Sequence, residues 1–292
     1  MTRPTNLRDV IQSVRLELAA AAIDDPAAEA RRLVAEAAGL RSTTIIAEPD
    51  ARLSSAQLSQ VDAWARRRSH RETLARLRGW QDFYGRRFLL SADTLEPRAD
   101  SEALIDATLA LIDKRQGRDH PWRIVDVGAG TGCLAVTLLA ELPNANAIGT
   151  DLSLGALTTA MANANALEVE QRCAWVCCDV MAALVGPFDI LISNPPYVAE
   201  PELDQLQPEV LHNDPRLALA GGNDGLAMYR RLAEQLLDFV PDGMVILETA
   251  DNDDHRVSHV FSEIIGSRHL SQPKVWRDLT GVGRCVTFET RA

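Results

Sequence analysis

Residues 122–133 read WRIVDVGAGTGC. A short apolar strand, Trp122 to Val127, runs into a turn with three glycines in five positions, and an apolar helical stretch follows. Glycines at a strand-to-helix junction let a ligand approach the backbone beside a helix N-terminus. A plain tight turn is the alternative reading. A dinucleotide site would space its glycines Gly-x-Gly-x-x-Gly, whereas here they are Gly128, Gly130 and Gly132, with Cys133 in the third slot. That spacing suits S-adenosylmethionine, whose methionine end carries no phosphate. Asp126, just before the loop, is expected to hydrogen-bond the loop amides or favour the cationic end of such a ligand.

Outward from this junction, helices and strands alternate from residue 101 onward. NAIGTD, CAWVCCD, FDILIS and GMVILET read as strands, with KVWRDL and RCVTFE as two terminal strands. SEALIDATLALIDK, LSLGALTTAMANANAL, GLAMYRRLAEQLLDFV and DHRVSHVFSEII read as helices. The alternation predicts an α/β fold: a doubly wound, Rossmann-like sheet with helices on both faces. Residues 5–77 carry helical spacing only. Asp25 and Pro26 mark one helix start, Gly39 a helix end, and SSAQLSQVDAWARRRSHRETLARL a longer helix. Aromatics alternating around Gly85 suggest a short hairpin or extended linker. The expected division is a helical domain over 1–78, a hairpin or linker over 79–93, and the sheet domain over 94–292.

Ligands in open α/β sheets sit outside the carboxyl ends of the strands. The next strand ends at Asp151, 23 residues after Gly128, where a carboxylate either accepts from both ribose hydroxyls or caps the helix that follows. Asp179 ends the third strand, where it either accepts an adenine amino hydrogen or caps a helix. The fourth strand stops at Ser193-Asn194 and runs into Pro195, Pro196 and Tyr197. Prolines cannot join a ladder. The segment is therefore a stiff tip that either turns the chain or holds a planar polar group. The Asn194 side-chain oxygen and the Pro195 carbonyl form two acceptors matched to one NH₂ group, and Tyr197 can cover its face.

Composition narrows the classes. The net charge is −11, which argues against direct DNA binding because phosphate contacts call for a basic surface. Arg66, Arg67, Arg68, Arg71, Arg76 and Arg78 cluster, but on a predicted helix and its exit, and read as a solvated face. No long apolar run predicts a membrane span, and MTRPTNLRDVIQSV lacks the apolar segment of a signal peptide. Five cysteines, an odd number, point to a reducing, cytoplasmic setting. Cys173, Cys177 and Cys178 read as core fillers, and no second pair stands at ligand spacing. His255 and His259 lack a third ligand and read as a solvated helix face, so no metal site is expected. In PRADSE, Asp100 or Ser101 is expected to cap a helix, and Arg98 has no assigned role.

NPPYV together with DVGAGTG resembles the class I amino methyltransferases. Over nearly the whole chain the sequence is similar to the release-factor glutamine N5-methyltransferases, the HemK/PrmC family. The likeness extends to EPRADSE (Glu96–Glu102), Asn163, DPRLALAGGNDGL (Asp214–Leu226), DLTGVGR and the helical domain in front. It implies S-adenosyl-L-methionine as cofactor and, as substrate, the Gln of the Gly-Gly-Gln motif of peptide-chain release factors. It further implies cofactor contacts from Gly128, Ala129, Gly130, Thr131, Gly132, Asp151 and Asn194, and glutamine contacts and catalysis from Asn194, Pro195, Pro196 and Tyr197. Several positions depart from the usual pattern. Ala99 replaces a second proline and Asp214 a Glu, Val180 stands where an aromatic commonly packs near the adenine, and the segment after Glu248 lacks its Gly and Gln. The Asn-Pro-Pro-Tyr signature is shared with enzymes acting on a ribosomal-protein glutamine and on DNA or RNA exocyclic amines, which are the alternative substrates.

Overall fold

The structure, a computed structural model, describes residues 4–278 and 281–291. Leu279 and Thr280 of DLTGVGR, and the first three residues of the expected helical domain, lie outside the described residues.

In chain order, the first elements are helices α1 (Leu7–Ala20), α2 (Pro26–Ala37), α3 (Ser42–Ala47), α4 (Ser55–Ser69) and α5 (Leu74–Arg78). The hairpin β1 (Trp80–Phe83) and β2 (Arg86–Leu89) follows, then α6 (Glu102–Ile112), β3 (Arg123–Val127), α7 (Cys133–Glu141), β4 (Asn146–Asp151), α8 (Leu154–Ala166) and β5 (Cys173–Cys177). The last part comprises β6 (Ile190–Ser193), α9 (Pro208–Asn213), α10 (Arg216–Leu219), α11 (Ala227–Phe239), β7 (Met244–Glu248), α12 (Asp254–Ile265), β8 (Lys274–Arg277) and β9 (Gly283–Glu289). The chain forms two compact units. One comprises Met1–Gly79 with Gln207–Asn213, the other Trp80–Leu206 with Asp214–Ala292.

The helical unit closes on Leu7, Val10, Val14, Leu18, Leu33, Val34 and Val61, all fully buried. Side chains fix its helix starts. Asp25 accepts from the Ala28 amide at 3.1 Å with Pro26 in the first turn, and Ser54 and Gln57 form a capping box. The single helix expected over 54–77 is two. Arg71 takes a φ of +73°, and Thr73 caps a new helix by accepting from the Arg76 amide at 3.2 Å. The arginine run is not a solvated face throughout. Arg68 is 7% exposed and bridges Glu29 at 2.6 Å and Glu209 of α9 at 3.1 Å. Arg71 joins Glu209 at 3.2 Å, and its own carbonyl accepts from the Asn213 side chain at 2.8 Å. Burial alone would raise the Glu209 carboxyl, but hydrogen bonds from its backbone, Arg71 and Arg68 outweigh that and hold it below the usual carboxylate value. This ionic knot ties α9 into the helical unit, from more than a hundred residues along the chain.

The second unit is built on a seven-stranded sheet of order β5-β4-β3-β6-β7-β9-β8. The first five strands in that order are parallel, and β9 runs antiparallel to both β7 and β8. The architecture is the doubly wound α/β sheet. Successive residues of β3, β6 and β7 face opposite cores. Ile124, Ile190, Ile192, Met244 and Ile246 pack on one side with residues of α6 and α7. Val125, Leu191, Val245 and Leu247 pack on the other with residues of α11 and α12. Strands covered on both faces read as unbroken apolar runs. The expectation of core-filling cysteines fails at Cys177, which is exposed, because β5 is an edge strand. The stretch expected as a hairpin or linker forms the antiparallel hairpin β1–β2, which belongs to the second unit, with Phe83 and Phe88 buried in its core. Among the described residues no helix is long and apolar enough to cross a membrane.

Candidate active site

A cleft of about 220 Å³ opens at the carboxyl ends of β3, β4, β5 and β6. The strand order reverses here, since the chain moves outward from β3 through β4 to β5 and then returns to place β6 on the other side of β3. Gly128, Ala129, Gly130 and Thr131, Asp151, Asp179, Val180, Asn194 and Pro196 all line it, joined by Asp93, by Leu95 to Arg98, and by Met228 and Arg231 of α11.

The three loop glycines do different work. All have positive φ, at 76°, 55° and 76°. A Cβ on Gly128 would meet nothing within 4 Å, so its backbone stands open to the cleft. A Cβ on Gly132 would lie 2.7 Å from the Trp175 ring and 3.1 Å from Ala160 Cβ. That glycine serves packing of loop against sheet and helix, and it does not line the cleft. Asp151 clamps the loop. Its Oδ2 accepts from the Gly130 amide at 2.9 Å and its Oδ1 from the Ser153 amide at 2.8 Å. Each oxygen keeps a lone pair for a further donor. Asn163, fully buried on α8, holds the loop from behind. It donates to the Thr131 carbonyl at 2.9 Å and exchanges two hydrogen bonds with the Leu89 backbone, at 2.7 and 3.1 Å.

Asp126 does not meet its expectation. It is fully buried, it lies outside the cleft lining, and it accepts from Ala135 in α7 at 3.1 Å rather than from the loop amides. Its Oδ1 has no partner among the described residues. Burial pushes its carboxyl up to about 7, against the Ala135 hydrogen bond. Asp179 neither stands free nor caps a helix, because it forms an ion pair with Arg231 inside the cleft. Val180 sits at φ +51°, a conformation costly for a β-branched residue. It is buried in the cleft wall.

At the tip of β6, Ser193 donates to the Val127 carbonyl at 2.6 Å, locking this strand end to the glycine loop. Asn194 Nδ2 donates to Ser101 Oγ at 3.2 Å. Asn194 and Pro196 enter the cleft lining, whereas Pro195 is buried and Tyr197 packs against the core under α11. Burial, then the nearby Glu248 carboxyl, push the Tyr197 hydroxyl up. The AGGNDGL stretch braces this tip. A Cβ on Gly221 would lie 2.8 Å from the Pro196 carbonyl, and one on Gly225, at φ +78°, would collide with that of Tyr197. Arg98 gains a role, since its guanidinium pairs with buried Asp214 at 2.6 Å, and Asp214 also accepts from the Glu96 amide at 3.4 Å. Neither Asp100 nor Ser101 caps α6 by a side-chain hydrogen bond. Asp100 instead pairs with Arg284 at 3.2 Å.

Sequence reasoning missed Glu248 as a site group. It ends β7, the strand paired with β6, is 2% exposed, and burial pushes its carboxyl up to about 7. An acidic residue closing an apolar strand was the available signal, the same one that singled out Asp151.

Two family models match the chain, "PrmC N-terminal domain" over residues 9–79 and "Methyltransferase small domain" over residues 100–224. The chain is 38% identical over 284 residues to a release factor glutamine methyltransferase of Bradyrhizobium diazoefficiens, covering 95% of this chain and 94% of that one. It is 37% identical to the protein of that name from Cereibacter sphaeroides, covering 96% of each. Among solved structures, the catalytic domain of hMettl16 in complex with MAT2A 3′UTR hairpin 6 aligns with a TM-score of 0.53 at 12% identity. It covers 70% of this chain and 74% of that one, and it shares the sheet architecture alone. With relatives this similar along nearly its whole length, the chain belongs to the release factor glutamine methyltransferase family.

Proposed function

We propose that this protein transfers a methyl group from S-adenosyl-L-methionine to the N5 side-chain amide of the Gln in the Gly-Gly-Gln motif of peptide-chain release factors, in the cytoplasm. The observation that carries the reading is the meeting of Asn194 and Pro196 with the glycine loop and Asp151 in one cleft.

The residues fit that cofactor. The open backbone at Gly128 admits close approach, Asp151 keeps acceptor capacity for ribose hydroxyls, and Leu152, Val180 and Met228 supply apolar wall. Asp93, Glu96, Asp151 and Asp179 outweigh Arg98 and Arg231 in the lining, which favours a cation. When bound, S-adenosylmethionine supplies a methyl group activated by a sulfonium.

The chain's own task is to make an amide nitrogen reactive. An amide lone pair is delocalised into its carbonyl. In this reading the Asn194 side-chain oxygen and the Pro195 carbonyl accept the two amide hydrogens, return electron density to nitrogen and aim its lone pair. Tyr197 excludes water from the amide plane. Holding reactants in an attack geometry can supply about 7–11 kcal/mol in favourable cases. The helical unit recognises the protein substrate, since a Gly-Gly-Gln segment offers few side-chain contacts of its own.

The test offers labelled S-adenosylmethionine with purified release factor, a ribosomal protein and DNA side by side. Label on the release-factor glutamine supports the reading. Label on DNA or the ribosomal protein alone, or on none of them, rejects it.

A further inference from the structure

We propose that Arg231 is a further cofactor-binding residue: paired with Asp179, its guanidinium lies at the adenine end of the cleft and supplies the planar surface on which the base packs. The inference rests on the reading that the cleft binds S-adenosylmethionine.

A flat aromatic ligand would meet no aromatic side chain in this cleft. Among the described residues the lining contains no Phe, Tyr, Trp or His. Its apolar wall is built from side chains such as Leu152, Val180 and Met228, which are branched or flexible. A purine gains more from a planar partner. A guanidinium is one, since it is flat, delocalised and stacks on aromatic faces. Two arginines line the cleft. Arg98 is held by buried Asp214 at 2.6 Å. Arg231 is held by Asp179, just beyond β5. In this reading the glycine loop after β3 takes the amino-acid part of the ligand, and Asp151 at the end of β4 takes the ribose. The next strand tip in the sheet is that of β5, and the base falls there.

The helix that carries Arg231 is fixed against this end of the cleft. Met228 and Arg231 are three positions apart, so they share a face of α11, and both line the cleft. Tyr229, Leu232, Ala233 and Leu236 of the same helix are buried in the core. Four positions after Arg231, Gln235 accepts from the Met181 amide at 3.3 Å. The segment after β5 is thus docked on α11 at Asp179 and again at Met181, on either side of buried Val180. The ion pair itself does little for the fold, because the Arg231 and Asp179 side chains are 39% and 49% exposed and water screens such a pair. Its effect is local. It keeps a long side chain in one place before a ligand arrives, and it cancels a positive charge that would repel a sulfonium compound. The N–H donors of a guanidinium lie in its plane. A carboxylate therefore takes its edge and leaves its faces for a base.

The experiment is calorimetric titration of the full-length protein with S-adenosylhomocysteine and with 5′-methylthioadenosine, which keeps the adenosine and lacks the amino-acid end. Arg231→Ala should weaken both by about 3- to 30-fold, the range of a cation–π contact. Arg231→Lys keeps the charge and its partner but has no plane, and should lose nearly as much. Arg231→Tyr keeps a plane without the charge, and should stay within about twofold of the parent. In the S-adenosylhomocysteine complex, nuclear Overhauser effects should connect adenine H2 or H8 to the Arg231 δ-methylene protons. Their absence in a complex that forms overturns the proposal, as does parental affinity in Arg231→Ala. A lysine variant that binds like the parent, with a tyrosine variant that binds like alanine, assigns Arg231 to the ion pair alone and also overturns it. A parent that binds neither ligand overturns the cofactor reading and this inference with it. Variants equal to a parent that binds both leave the cofactor reading standing and remove Arg231 from it.

Discussion

Asn163→Ala removes a side chain that holds three backbone groups at once. The Leu89 amide and carbonyl and the Thr131 carbonyl all lose their partner, the Thr131 bond fully buried and the two Leu89 bonds partly so. Each buried group left unpaired costs about 1–3 kcal/mol. Even at the low end the three sum to about 3 kcal/mol, and the better helix propensity of Ala returns only about half a kcal/mol. For a unit of this size each kcal/mol moves Tm by roughly 2–4 °C, so a fall of about 5–10 °C or more is expected by scanning calorimetry. Thr131 belongs to the glycine loop, so cofactor affinity should fall in the same variant. Asn163→Asp sharpens the test. It keeps an acceptor for the Leu89 amide but turns a carboxylate towards two carbonyls, and it should be less stable than Asn163→Ala. A Tm within 2 °C of the parent's would refute the three-bond clamp. An Asp variant more stable than the Ala variant would refute the donor assignment within it.

Asp151→Ala should weaken cofactor binding by about 10- to 150-fold in calorimetric titration, the worth of hydrogen bonds to a charged acceptor. An unchanged constant would remove the ribose role. The same variant should also lose stability, because the Gly130 and Ser153 amides lose their acceptor. Asn194→Ala should fold and melt like the parent but turn over roughly a hundredfold or more slower, and near-parental turnover would sink the two-acceptor reading. The Asp126 carboxyl at about 7 lies above its value in an unfolded chain, so the folded state holds that proton more tightly. Its stabilising contribution is complete below about pH 4 and is lost as pH rises through about 7. Asp126→Asn should therefore exceed the parent's stability by on the order of 4 kcal/mol at pH 8 and by less than half of that at pH 5, read by urea unfolding at the two pH values. A constant difference would contradict the assignment. Removing residues 1–78 should spare cofactor affinity while sharply lowering rates on intact release factor. It should also abolish hydrogen-exchange protection over residues 207–213, whose partners Arg68 and Arg71 go with the helices. Undiminished rates in a folded truncation would reject the recognition role.

The central strands were legible because both their faces are covered. Ile190 to Ile192 and Met244 to Leu247 are unbroken apolar runs, and a run of that length with turn residues at its end reads as a buried strand. Asp151 and Asn194 were legible for a related reason, as polar residues placed at the ends of such runs. What stayed hidden depends on which strands become neighbours. Glu248 reads as one more strand-end acid until β7 lies beside β6 and buries it. The pairing of Arg98 with Asp214 joins residues 116 positions apart, and nothing local marks either as the partner of the other. The break between α4 and α5 had a local signal in Thr73, but a run of helix-favouring arginines overrode it. Arg68 looked solvated because two of its carboxylate partners, Glu29 and Glu209, lie on other helices. The direction of β8 and β9 is likewise absent from their own residues, since parallel and antiparallel strands share the same apolar pattern.

The helical unit is assembled from two separate stretches of chain, and this limits how such a protein can be shuffled. A front domain made of one continuous segment can be exchanged between relatives by a single crossover. Here a single crossover near Gly79 would leave α9 behind, carrying Glu209 into a foreign set of helices. A hybrid is expected to fold only when residues 207–213 travel with residues 1–79, or when the incoming helices happen to offer guanidinium groups where Arg68 and Arg71 stand. Descent should leave a trace of that constraint, with the charges at positions 68, 71 and 209 changing together among relatives, although 141 and 138 positions separate the last from the first two.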